Sequence, residues 1–311
     1  MNHFVERIGN PIFLLTVAIS WLLIPNSIAA AQEYKFRFNP PDNITFIQNV
    51  KTTKITKVEN ASQRVDVNEG RVKINIKKAG SGFIITMTSI SVSIKRDGQT
   101  VNNPILDVLK DVVVTYEVDT NGKLLRIRGY ENVLEKAKGS LPSAVVQSIA
   151  PLLSEEALVN KAKAEWSGRI EDFANATVKI GDVFTASLPF PLPTGESITY
   201  YTVIKIADQE KCGTRTCLKI ETAYNSKPEA LANFAGKFID KIMSEAKSKE
   251  RVAVSGAEIN GEVGRLIDPE TMLIYSETIN RTIKMQVEIP GQGKANTVSE
   301  EKRVYSYEYS Q

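Results

Sequence analysis

Histidine is almost missing from this chain. The only one, His3, lies in an N-terminal segment read below as removable, so the chain from residue 32 onward contains none. That removes the commonest general base at neutral pH. Ser-His-Asp and Cys-His nucleophile systems go with it, as do the usual zinc sites. Carboxylate pairs and lysine chemistry are what remain for catalysis. Cysteine is also scarce, with two residues, and tryptophan is limited to Trp21 and Trp166. Lys and Arg alternate with Asp and Glu for a net charge of +3, and no basic block of five or more occurs. The concentrated positive stripe that nucleic acid requires is therefore absent. No apolar run is long enough to span a bilayer.

The longest apolar run, Pro11 to Ile24, is 14 residues, short of the ~20 a membrane helix needs. Pro25 ends it, and Asn26 to Ala31 supplies the small residues that a signal peptidase accepts. The segment reads as a cleavable secretory signal ending after Ala31 or Ala29. No Cys lies near that site, which excludes lipid attachment of the bacterial lipoprotein kind. The expected location is periplasmic or extracellular, with no transmembrane span after cleavage. The 42% hydrophobic content supports a real core.

Cys212 and Cys217 stand between two strand-like runs, Ile198 to Ile206 and Leu218 to Ala223, with Gly213 easing the turn. A hairpin with that spacing sets the two Cβ atoms across from each other, and export supplies the oxidising compartment. A structural disulfide is expected rather than a redox or metal pair. No metal site or cofactor is expected.

Period-two alternation marks antiparallel strands with one buried face. It occurs at Tyr34, Phe36 and Phe38, at Val72, Ile74 and Ile76, at Phe83, Ile85 and Met87, and at Ile90, Val92 and Ile94. Asp97-Gly98 signals a hairpin. Val112 to Val118 is a strand, turned by Asp119 to Gly122 into Leu124 to Ile127. Helical spacing follows over Pro142 to Leu153, and Ser154 with Glu155 and Glu156 caps a further helix through Leu158, Ala162 and Trp166. The prolines of Pro189 to Pro193 argue for a surface loop. Ser226-Lys-Pro228 opens an amphipathic helix whose face carries Leu231, Phe234, Ala235, Phe238 and Ile242. Strands are then expected at Val252–Ile259, Val263–Ile267, Met272–Ile279, Ile283–Ile289 and Val304–Tyr309.

The fold class is α+β: long curved antiparallel sheets, unclosed-barrel-like, with inserted amphipathic helices. The chain divides as 1–31 signal, 32–175 first curved-sheet half and 176–311 second half. The halves rhyme through the turns at Asp119–Gly122 and Asp268–Thr271, which suggests a duplication.

The run Lys179 to Phe184 with the Pro-rich stretch after it, and Tyr116 to Lys123 before the helices, resemble an uncharacterised family of exported bacterial proteins. More distantly, long curved strands with a helical lid resemble the periplasmic lipid-carrier fold of LolA and LppX, an unclosed barrel wrapped on helices. That resemblance implies a cavity for acyl chains and no catalytic residues. Candidate apolar lining is Val145, Ile149, Phe234, Phe238 and Ile242.

Other motifs have plainer explanations. Ser244 and Lys247 match S-x-x-K spacing without the partner motifs of acyl-serine enzymes. Asp66 to Gly70 lacks most EF-hand ligands and reads as a hairpin turn. Lys51, Lys54 and Lys57 read as protection of a sheet edge. The sequons at Asn43, Asn60, Asn175 and Asn280 matter only in a eukaryotic host.

The expected function is an exported non-enzymatic protein that binds a hydrophobic or lipid-like molecule or a cell-envelope component. Two alternatives stand beside it. One is an envelope-protein interaction module without a cavity, pairing a partner edge with the strand of Tyr307 and Tyr309. The other is a carboxylate-based hydrolase.

Overall fold

The computed structural model describes residues 32–59, 61–110, 112–191, 197–245, 253–289 and 293–309. The signal segment therefore lies outside the described residues, as do Asn60 and Lys247. The side chains of Phe238, Ile242 and Ser244 lie outside them as well.

The chain forms one large antiparallel sheet that does not close into a barrel. Its first strands are β2 (Ile44–Val58), β3 (Arg64–Ala79), β4 (Gly82–Arg96), β6 (Val113–Asp119) and β7 (Leu124–Arg128). Its later strands are β9 (Val183–Pro191), β10 (Ser197–Cys212), β11 (Arg215–Ser226), β12 (Ala253–Ile267), β13 (Ile274–Ile289) and β14 (Gly293–Tyr309). The spatial order is β7-β6-β4-β3-β2-β14-β13-β12-β11-β10-β9, with short β5 (Gln99–Thr100) beside β4. β1 (Glu33–Lys35) pairs separately with β8 (Thr177–Lys179). Residues 32–175 and 176–311 thus feed a single ladder, joined where β14 meets β2.

Among the described residues five α-helices accompany the sheet: α1 (Pro104–Leu109), α2 (Val133–Ser140), α3 (Ser143–Leu153), α4 (Glu155–Trp166) and α5 (Pro228–Glu245). The expected caps are in place. The Ser154 hydroxyl accepts from the Ala157 amide at 3.2 Å, and a π-turn (Ser167–Glu171) extends α4. α1, capped by the Asn103 side chain, and α2 were not anticipated from the sequence. α4 packs on the inner face of the first strands, and α5 on the inner face of β12 through Leu231, Ala257 and Ile259. No helix among the described residues is long and apolar enough to cross a membrane.

Several expectations change at the level of pairing. Phe83, Ile85 and Met87 and then Ile90, Val92 and Ile94 form one strand. The shift of alternation from odd to even marks a bulge, where Arg71 pairs Ser91 and Val72 pairs Ser89, leaving Ile90 without a partner and exposed. Val252 lies outside the described residues, and from Ala253 onward the expected strands Val252–Ile259 and Val263–Ile267 also fuse, into β12. Its Gly261 lies flat under the Tyr224 ring, and a Cβ there would come within 2.2 Å of that ring. Ile274–Ile279 and Ile283–Ile289 likewise fall on a single strand, β13, with Met272 and Leu273 just ahead of it. Asp66 to Gly70 sits inside β3 rather than in a turn. Residues 189–191 belong to β9, an edge strand, the one sheet position where proline costs no ladder bond on its open side.

Two corrections bear on function. β2 is flanked by β3 and β14, so Lys51, Lys54 and Lys57 protect no edge; Lys51 pairs with Glu69 at 3.0 Å and Lys57 with Glu300 at 3.3 Å. β14 is equally central, lying between β13 and β2, so the tyrosine strand has no free edge to offer a partner protein.

Cys212 and Cys217 are joined by a disulfide with Cα atoms 5.9 Å apart, and both are buried. The turn is tighter than expected. Gly213 and Thr214 alone connect the strands, Cys212 faces Arg215, and the bridge runs diagonally to Cys217. Replacing both cysteines by serine opens a short loop and is expected to cost ~2 kcal/mol of unfolding free energy in urea titration. A loss below a few tenths would show that the hairpin holds its register without the bridge.

Candidate functional site

A pocket of ≈ 280 Å³ lies between the inner face of the sheet and the end of α4. Its floor is built by the alternation that the sequence displays. Phe46 on β2, Ile74 and Ile76 on β3, Ile85 and Met87 on β4, Tyr116 on β6, and Tyr305, Tyr307 and Tyr309 on β14 all project to one side. Phe38, Trp166 and Ile170 close it from above, and Met272, Leu273 and Ile274 close one end. Glu165 is exposed and lines the pocket, so it marks the mouth.

The aromatic wall is cross-braced. Trp166 meets Phe38 and Tyr116 edge-on, with ring centres 5.7 Å and 5.6 Å apart. Its indole N–H donates to the Gly122 carbonyl at 2.9 Å. Gly122 has φ +82°, and a Cβ there would press Phe38 at 3.0 Å and Ile170 at 3.1 Å. The Asp119–Gly122 turn thus fixes the tryptophan. Its Asp119 carboxylate accepts from the amides of Asn121 and Lys123. The rhyming turn is similarly braced: Asp268 accepts from the Glu270 amide and the Thr271 hydroxyl, and Met272 takes a positive φ of 59° to reach the pocket.

Phe46 and Tyr309 lie 4.7 Å apart, and the Tyr309 hydroxyl donates to the Ile274 carbonyl at 2.6 Å. Gln48 donates to the Tyr307 hydroxyl at 3.1 Å. Burial raises the phenols of Tyr116, Tyr307 and Tyr309 above the ordinary tyrosine range, so all three stay neutral.

Beneath the mouth sits a buried ion triad. Glu277, with 1% of its side chain exposed, receives Arg169 on one oxygen and Arg265 on the other, each at 2.7 Å. Burial alone would raise the Glu277 carboxyl. The two guanidinium charges and their hydrogen bonds outweigh it and hold the group down at about 2. Arg265 also donates to the Gly168 carbonyl at 3.1 Å, and Arg169 stacks over the Tyr305 ring at 4.8 Å. The triad ties the π-turn to β12, β13 and the pocket wall. The pocket lining contains one carboxylate, Glu165, and Glu277 beside it is spoken for by its arginines. No cluster of three metal-type ligands occurs among the described residues.

Of the lining foreseen from the sequence, Val145, Ile149 and Phe234 have described side chains, and these lie away from this pocket. Val145 is 38% exposed on α3, and Ile149 packs with the α1–α3 cluster around Val146 and Leu153. Phe234 packs with Leu231 and Ile259 under α5. None of the three lines this pocket. Its actual walls appear in the sequence as strand alternation and as the α4 face through Trp166. The signal for the triad lies in the period-two phase: Arg265 falls in step with Ile259, Val263 and Ile267, and Glu277 with Tyr275, Ile279 and Ile283.

No family model and no curated protein sequence matches the chain. Among solved structures, lipovitellin, studied for its lipid–protein interactions, is similar at a TM-score of 0.45 and 12% identity, over 87% of this chain and 25% of its own. This chain thus spans a quarter of that protein. DynF from the dynemicin biosynthesis pathway of Micromonospora chersina is similar at a TM-score of 0.20 and 7% identity, over 94% of this chain and 92% of its own. The COG4313 outer membrane channel from Pseudomonas putida F1 gives a TM-score of 0.18 and 8% identity, over 92% of this chain and 100% of its own. At such TM-scores the likenesses convey no function to this chain.

Proposed function

We propose that the protein is a non-enzymatic binder of a small hydrophobic or amphiphilic molecule, held in the aromatic pocket under α4, and that it works outside the cytoplasm. The observation that carries this reading is the pocket itself. Its wall is mostly apolar and aromatic, with Gln48 and Arg169 among the lining; Tyr116, Tyr307 and Tyr309 are neutral, and an exposed carboxylate marks the opening. An apolar cavity of ~150 Å³ already accepts benzene, and ligand pockets usually begin near ~300 Å³, so ≈ 280 Å³ suits a single ring system or one alkyl chain. Support for export comes from the short apolar leader with its small-residue exit and from the Cys212–Cys217 bridge.

Trp166 supplies the test. In a chain carrying Trp21→Phe it is the only tryptophan, and bromine quenches indole emission on contact. Titration with 12-bromododecanol is expected to quench Trp166 saturably. Met87→Phe, which pushes a ring into the pocket, is expected to weaken binding at least ~10-fold, a loss of about 1.4 kcal/mol. Absent quenching, or equal quenching in both proteins, would refute the pocket as the ligand site.

A further inference from the structure

The inner face beyond the pocket is basic. Arg281, Glu301, Lys54 and Asp66 stand opposite one another in register on β13, β14, β2 and β3, and Arg96 continues the row on β4. Alternating charges in such a row favour its register. The charges nevertheless do not cancel. Glu301 serves two arginines, Arg281 at 2.8 Å and Arg303 at 3.0 Å. Lys54 is half-buried and feels Glu301, yet makes no direct ion pair among the described residues. The Nε–H groups of Arg281 and Arg303 are shut from solvent without an acceptor. Both side chains still keep about a third of their surface open, 32% and 31%, so their outer guanidinium donors can be reached. The nearby carboxylates do not supply the balance. Glu277 is committed to Arg169 and Arg265, and Glu165, close enough to Arg303 to stabilise its charge, is exposed to water at the mouth.

This basic patch is continuous with the pocket. Arg303 donates to the Tyr305 hydroxyl at 3.3 Å, and Tyr305 lines the pocket. Two residues along a strand span about 7 Å.

We propose that Arg303, Arg281 and Lys54 bind the head of an anionic single-chain amphiphile, a carboxylate or phosphate monoester, whose tail fills the aromatic pocket. The inference rests on the pocket reading and adds the charge of the ligand. Guanidinium groups are weakly hydrated and match carboxylate and phosphate oxygens. A bound anion neutralises the surplus of positive charge that Glu301 leaves.

The test compares dodecanoate, dodecyl phosphate and dodecanol as competitors of 12-bromododecanol at Trp166, in the full chain carrying Trp21→Phe. At least one anion is expected to bind about tenfold tighter than the alcohol, with the gap narrowing as salt is added. Lys54→Gln is expected to shrink that gap and leave dodecanol unchanged, and Arg303→Gln, which also frees the Tyr305 hydroxyl on the pocket wall, is expected to shrink the gap relative to its own dodecanol binding. Lys54→Gln keeps the test sound if Arg303→Gln fails to fold, because Lys54 holds no direct ion pair. Equal binding of anions and alcohol in the parent chain, or a full gap surviving Lys54→Gln, overturns the head-group site while the pocket stands. If the alcohol itself does not compete, the pocket reading falls and this inference with it.

Discussion

Glu277→Gln is expected to lower the unfolding free energy by about 3–5 kcal/mol in urea denaturation. The change removes the carboxylate that both Arg169 and Arg265 bond directly, and a buried ion that loses its partner is among the costliest defects a core can carry. The same carboxylate predicts an acid limb. Its value falls from an ordinary 4.5 in the unfolded chain to about 2 in the fold, so it contributes stability above the unfolded value and loses it as pH falls toward 2. At 1.36 kcal/mol per pH unit the contribution is about 3 kcal/mol, present at neutral pH and mostly gone near pH 2. Asp66 and Glu301 are held low in the same sense, each by two arginines that outweigh its burial, so they steepen the limb. If the Glu277→Gln protein keeps the parent's stability at pH 7, the triad is not the clamp that its geometry implies.

Phe36→Ala should cost a comparable ~3–5 kcal/mol. Phe36 is fully buried, meets Phe173 edge-on at 5.9 Å, and its backbone bonds Ala176 and Asn175. It joins the end of β1 to the segment after the π-turn, so its loss leaves a cavity between them. Leu125→Ala, at 62% exposure, is the matched control and should stay within ~0.5 kcal/mol. Equal effects from the two would place the core elsewhere.

The strands were legible because each buries one face, and that forces alternation wherever the chain is extended. Even the bulge at Ile90 was written as a slip from odd to even positions. Helix starts were legible at Ser154 and Pro228, where side chains and proline do local work. The identity of neighbouring strands was not legible. β2 and β14 pair across more than two hundred residues, as in the Gln48–Tyr307 bond at a separation of 259, and no local signal encodes such a contact. That is why lysines on a central strand looked like edge protection and why the tyrosines of β14 looked free. The pocket suffered in the same way. Its walls are encoded one strand at a time with no local signal joining them, whereas the helix faces at Val145 and Phe234 are each complete within one segment and lie elsewhere. Trp166 stood out as a single tryptophan, but its role depends on a carbonyl at Gly122 that no spacing rule connects to it.

The central claim is that the space between Trp166 and Tyr309 holds an apolar chain. A crystal soaked with 12-bromododecanol and measured at the bromine edge tests it most directly. An anomalous peak in contact with Phe46, Met87 or Trp166 is the expected result. Bromine found only on the outer face, beside exposed Tyr201 and Val203, or only beneath α5, would contradict it.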